Sequence, residues 1–102
     1  MNEQNVKIIR YLTDDKPDLK KLQRAIENGY LLVKFTQTNG GTELGCNTKN
    51  SDSENKCVID EVNRTIQIVG RLKLDFTPVR LRAAVNLDTF EGKAKLEVIE
   101  NW

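Results

Sequence analysis

Apolar residues recur along this chain with two different periods, and the points where one period gives way to the other separate its elements. Val6, Ile8 and Leu12 share one parity while Ile9 and Tyr11 take the other. That pattern predicts a strand over 5–12 with apolar groups on both faces, as a central strand has. The next segment, Thr13-Asp14-Asp15-Lys16-Pro17-Asp18, reads as a helix start: Asp15 can cap, Pro17 suits the first turn, and Asp18 adds negative charge near the positive helix end. Leu19, Leu22, Ala25 and Ile26 then form an apolar stripe at helical spacing, with Lys20, Lys21, Arg24 and Glu27 pointing elsewhere. Gly29 stands where a left-handed terminating residue belongs, so a helix over 18–28 is predicted.

From Tyr30 onward the period is two. The aromatic and β-branched run over 30–36 predicts a well-buried strand, and Asn39-Gly40-Gly41 is a hairpin signal that folds a strand over 42–48 back against it. The polar stretch 47–56 reads as a surface loop, and Val58, Ile59 and Val62 mark a short strand before a turn at Asn63-Arg64. Over 65–76 the alternation is regular. Ile66, Ile68, Leu72, Leu74 and Phe76 share one face, and Gly70 is the expected place for a bulge or bend in so long a strand. Thr77-Pro78 is expected to interrupt the hydrogen bonding, because proline has no N–H.

Val79, Leu81, Ala83, Val85 and Leu87 then alternate with polar residues and alanine. Alanine and leucine also favour helix, but five apolar positions at a spacing of two would spiral around one, so a strand is predicted over 79–88. A turn at Thr89-Phe90-Glu91-Gly92 leads into a last strand carrying Ala94, Leu96 and Val98 on one side. The order is strand, helix, then five or six strands joined by short turns. The expected fold is α+β and β-rich: one N-terminal helix packed on a curled, mainly antiparallel sheet of six to seven strands, with a partial barrel as one form. Without helices between the later strands, a doubly wound α/β architecture is excluded.

With 102 residues the chain has the length of one domain, spanning 1–102, and enough material for a core without disulfide or metal staples. Sixteen basic and fifteen acidic residues leave a formal net charge of +1, so no global field draws the molecule to nucleic acid or anionic lipid. The first residues lack the basic and apolar segments of a signal peptide, and no apolar run approaches membrane-spanning length. A cytoplasmic protein with no membrane partner is expected. In that setting Cys46 and Cys57 read as two thiols rather than a disulfide across the polar loop, and the sequon Asn63-Arg64-Thr65 carries no consequence.

The chain contains no histidine, which removes the commonest general base and the commonest transition-metal ligand together. Two cysteines cannot complete a zinc site alone, and Ser51 and Ser53 read as turn hydroxyls. Asp14 and Asp15 are explained by capping. Asp60 and Glu61, adjacent in a strand, point to opposite faces, and Asp52 with Glu54 only loosely resembles an oxygen-rich cation loop. Gly40-Gly41-Thr42-Glu43-Leu44-Gly45 lacks the lysine and helix of a phosphate-binding loop. No catalytic residue, metal ligand or cofactor is therefore assigned. An enzyme is not excluded, because a pocket could assemble Tyr11, Tyr30, Lys34 and a carboxylate, but nothing in the spacing asks for one.

The most suggestive feature is the polar face of the last three strands, which carries Arg71, Lys73, Arg80, Arg82, Lys93 and Lys95. A plain soluble sheet face competes with phosphate recognition, since Asp75, Asp88, Glu91 and Glu97 interleave and Phe76 falls on the apolar side, away from any base to stack. Trp102 shares the parity of Leu96 and Val98, and either seals the core or anchors a partner. The expected function is a non-enzymatic binding or regulatory module acting on a protein partner or as a homodimer. The alternatives are a barrel-like carrier of an apolar ligand and a nucleic-acid binder using the basic face.

Overall fold

The computed structural model describes residues 3–37, 41–48, 55–74 and 76–99. Its elements are β1 (Gln4–Lys7), β2 (Leu12–Thr13), β3 (Lys16–Pro17), α1 (Leu19–Asn28), β4 (Tyr30–Phe35), β5 (Thr42–Asn47), β6 (Lys56–Asp60), β7 (Thr65–Leu74), β8 (Thr77–Asn86) and β9 (Glu91–Val98). Seven strands form one antiparallel sheet in the order β5-β4-β1-β9-β8-β7-β6. A further pairing, Asn47 with Arg71, joins β5 to β7 and closes six of the strands into a barrel, with β6 attached outside the closure. The β-rich α+β fold with a barrel is thus the fold of this chain.

The alternation of the last three strands supplies most of the barrel interior. Ile66, Ile68 and Leu72 of β7, Val79, Leu81, Ala83 and Val85 of β8, and Ala94 and Leu96 of β9 are all buried, and Val6, Leu31, Val33 and Phe35 meet them from the opposite wall. The competing helix over 79–88 does not form; β8 pairs along its whole length with β7. Helix α1 contributes Leu22 and Ala25 to the same core, with Leu19 and Ile26 partly buried beside them, as the apolar stripe predicts. It ends at Gly29, whose φ of 75° is the left-handed cap expected there.

Several local features differ from the sequence reading. The first strand stops at Lys7, and Leu12–Thr13 instead pairs with Lys16–Pro17 in a small separate hairpin. Asp14 and Asp15, with φ of 53° and 63°, are its turn rather than a helix cap. The cap is Asp18, whose carboxylate accepts the Lys20 N–H at 2.9 Å and the Lys21 N–H at 3.3 Å. Aspartate and proline serve tight turns and helix starts equally well, so composition alone could not separate the two.

Gly70 makes no bulge: β7 and β8 stay in unbroken register from Thr65↔Asn86 to Leu74↔Thr77. The absent side chain instead makes room for β5, since a Cβ at Gly70 would lie 2.3 Å from the Cys46 Sγ and 2.6 Å from the Asn47 carbonyl oxygen. Thr77 and Pro78 belong to β8 and do not interrupt the ladder. The reversal falls one step earlier, where Phe76 adopts φ 67° and is 98% exposed, so it leaves the apolar face altogether. Phe90, expected only in a turn, is fully buried at φ 58°, and its carbonyl accepts the Ile8 N–H at 2.8 Å. Val62 lies beyond β6, almost wholly exposed. Asn39, Gly40, Ser51, Asp52, Ser53, Glu54, Asp75 and Trp102 lie outside the described residues.

Candidate functional site

The register of β7, β8 and β9 decides which of the basic residues meet. Cross-strand partners share a face, so Arg71 lies opposite Arg80, Arg80 opposite Glu97, Lys73 opposite Pro78, and Arg82 opposite Lys95. Lys93 lies between Ala84 of β8 and Asn5 of β1. Strand β6 extends the Arg82 row outward: Lys56 pairs with Val69, which in turn pairs with Arg82. All six basic residues named from the sequence therefore occupy the outer face of neighbouring strands, but in two groups. Arg82, Lys93 and Lys95 gather with Lys56 around one shallow depression, while Arg71, Lys73 and Arg80 lie toward the β7–β8 turn.

The depression measures about 320 Å³ and lies on the outside of the barrel. Its floor is Val69 and Ala84, with Gln67 beside them and Glu3 at the rim. Val69 has outward parity yet is only 6% exposed, consistent with long basic side chains laying their apolar stems across it. Lys56 was missed in the sequence reading because its registration against Val69 is a tertiary fact; the short strand was legible only from Val58 onward.

Among the described residues, two carboxylates partly balance the cations around the depression. The Arg82 Nε donates to Glu97 Oε1 at 3.3 Å, and Lys93 Nζ stands 3.8 Å from Glu3 Oε1. Both pairs are about half exposed, which places them among surface ion pairs that salt and water readily loosen. The directly opposed Arg82 and Lys95 are a different matter, because like charges facing one another across a sheet are destabilising. The same face repeats the arrangement once, at Arg71 opposite Arg80, and elsewhere sets opposite charges together, Lys7 against Glu91 and Arg80 against Glu97.

A second depression, of about 480 Å³, lies between α1 and the start of β4. It brings Tyr11 and Tyr30 together, as the sequence reading allowed, but their companions are Lys21 and Arg24 rather than Lys34 and a carboxylate. Lys21 Nζ is held by the Leu12 carbonyl oxygen at 2.6 Å, and the Tyr11 hydroxyl accepts the Leu32 N–H at 3.3 Å. Burial pushes the Tyr11 hydroxyl above its ordinary pKa. Among the described residues that line this groove there is no carboxylate.

The two cysteines are thiols. Burial pushes Cys46 up to about 12 and Cys57 up to about 11, with the Thr48 hydroxyl opposing the shift at Cys57. Neither is poised as a nucleophile at neutral pH. Among the described residues no three of Cys, Asp and Glu converge as a metal site would need, and no helix is long and apolar enough to cross a membrane. The sequence matches no protein-family model and no curated protein, so the outer-face depression carries the functional argument by its own geometry.

Proposed function

We propose that this chain is a non-enzymatic binding module that takes an acidic segment of a partner protein on the outer face of β7, β8 and β9. The observation that carries this reading is the direct opposition of Arg82 and Lys95 beside Lys93 and Lys56, over a floor of small apolar residues. An anion between these cations converts their mutual repulsion into shared attraction, and here, unlike at Arg71 and Arg80, the opposed pair borders a depression with two further lysines. Spacing favours a peptide. Lys93 and Lys95 are two residues apart on one strand, about 6.6–6.8 Å, which is the repeat of alternate side chains in an extended chain. A segment with acidic residues at alternate positions would meet both. The net charge of +1 favours a short acidic segment over a long polyanion, because acidic residues elsewhere on the molecule would repel the latter. Two free thiols suit the reducing cytoplasm expected from the sequence.

A nucleic-acid reading gains support from one finding, the exposure of Phe76 at the tip of the β7–β8 hairpin, beyond Arg71, Lys73 and Arg80. An exposed aromatic at the end of a basic stripe is what base stacking requires.

Fluorescence anisotropy at low and moderate salt separates these outcomes. The probes are an alternating glutamate peptide, its glutamine counterpart and a single-stranded oligonucleotide. The peptide reading expects the glutamate peptide to bind, to weaken with salt and to outbind the other two. Preference for the oligonucleotide, lost in Phe76→Gly, would replace it with the nucleic-acid reading. No binding of either anion at low salt would overturn both.

A further inference from the structure

Strand β6 is hydrogen-bonded on one side only among the described residues. Its five residues pair with β7 from Lys56↔Val69 to Asp60↔Thr65, and no other described strand joins it. The barrel closes past it, because the β5–β7 pairing at Asn47↔Arg71 lies beyond the end of the β6 ladder. An unpaired edge presents N–H and C=O groups that another strand can match, and natural edges usually block this with proline, bulges or charged side chains, which here are Lys56 and Asp60. This edge has neither proline nor bulge, and its middle residue, Val58, is 50% exposed.

The outer face of β6 reads Lys56, Val58, Asp60: positive, apolar, negative. An antiparallel copy of the same strand reads negative, apolar, positive. We propose that two copies of this chain associate through β6, antiparallel about a two-fold axis at Val58, so that two barrels join in one continuous sheet. In this register Lys56 faces Asp60 of the second copy, Asp60 faces the other Lys56, and the two Val58 side chains meet at the axis. Residues directly opposite in an antiparallel pair point to the same side, so Cys57 and Ile59 face each other on the inner surface.

The charges select this register. Slipping by two residues in either direction leaves Lys56 or Asp60 opposite Val58, and slipping by four sets lysine against lysine or aspartate against aspartate. A two-fold contact is self-complementary and closes at two copies, so the edge is used up rather than left to template fibres. Five residues per copy is a small surface, which makes the dimer concentration-dependent rather than permanent. The inference shares Lys56 with the basic depression but needs no acidic partner, and its test reads Val58, which does not line that depression.

The test uses the full chain and its Val58→Cys, Val62→Cys and Val58→Lys variants, all at exposed positions. Across the axis the two Val58 Cβ atoms would lie about 4.5–5.5 Å apart, close to disulfide range, whereas the Val62 positions would be far separated. Under mild oxidation Val58→Cys should form covalent dimer at least about tenfold faster than Val62→Cys. In sedimentation the unmodified chain should rise above its 11.7 kDa monomer mass with concentration, and Val58→Lys should not. The proposal is overturned if the unmodified chain stays monomeric to about 1 mM, where even small specific interfaces are populated, or if the two cysteine variants cross-link at the same rate.

Discussion

Arg82 on β8 lies directly opposite Lys95 on β9, and the carboxylate that Arg82 reaches, Glu97 at 3.3 Å, belongs to the neighbouring row. The backbone ladder fixes the two residues opposite one another, while the Arg82 side chain turns its guanidinium to Glu97. The basic face is therefore a property of the fold and not of one side-chain arrangement.

The closure of the barrel depends on an absent side chain. A methyl group at Gly70 would meet the Cys46 Sγ at 2.3 Å and the Asn47 carbonyl oxygen at 2.6 Å, and the second contact is backbone that cannot swing away. Gly70→Ala should cost at least about 2 kcal/mol in urea unfolding. Adding Cys46→Ala should cost less than the sum of the two single changes, because it removes one of the two obstructions.

Phe76 and Phe90 both hold left-handed backbone, with φ of 67° and 58°, yet one is 98% exposed and the other fully buried. Phe76→Gly should leave stability unchanged or raise it by up to about 1 kcal/mol, since glycine takes that φ without strain. Phe90→Ala should cost about 3–5 kcal/mol, the usual loss for an emptied aromatic core site. Denaturant midpoints of the two variants should move in opposite directions or differ by that margin.

The Thr13 hydroxyl, donating at 2.7 Å, and then the Lys21 N–H hold the Asp18 carboxyl below its ordinary range. A lowered folded pKa means that this contribution is complete above about pH 4 and is lost as pH falls through the lowered value. Asp18→Ala should therefore be less stable than the unmodified chain at neutral pH, and the gap should narrow below about pH 4.

The thiols run the other way. With folded values raised to about 12 and about 11, their contribution is complete below about pH 8.5 and declines as pH rises toward those values. Ellman's reagent at pH 8 should label the native chain far more slowly than the chain in urea. Equal rates would show that Cys46 and Cys57 are not enclosed as described.

Much of this fold was legible because period two and period three to four are hard to confuse over long runs. The alternation from Ile66 to Leu96 set the barrel wall and its basic outer face, though Val98, of the same parity, is 64% exposed, and the stripe from Leu19 to Ile26 with Gly29 set the helix. What was not legible depends on partners distant in sequence. Gly70 looked like a bend because Cys46, which needs the space, sits on a strand that only the closed barrel brings near. Phe76 continued the apolar parity on paper, but the Leu74↔Thr77 pairing turns the chain at that point. Lys56 belongs to the candidate site only through the Val69 and Arg82 register, which no local pattern encodes.

In the proposed function Lys95 serves binding at a cost to the fold, and Lys95→Glu separates those two roles. Glutamate there would face Arg82 with the opposite charge, so stability should rise by about 0.2–1 kcal/mol. The decisive measurement is the affinity of that variant for the alternating glutamate peptide at low salt. A loss of at least about tenfold in a chain no less stable than the original is the predicted result, an amount equal to one close charge contact. Unchanged affinity would contradict the assignment of this face to an acidic partner.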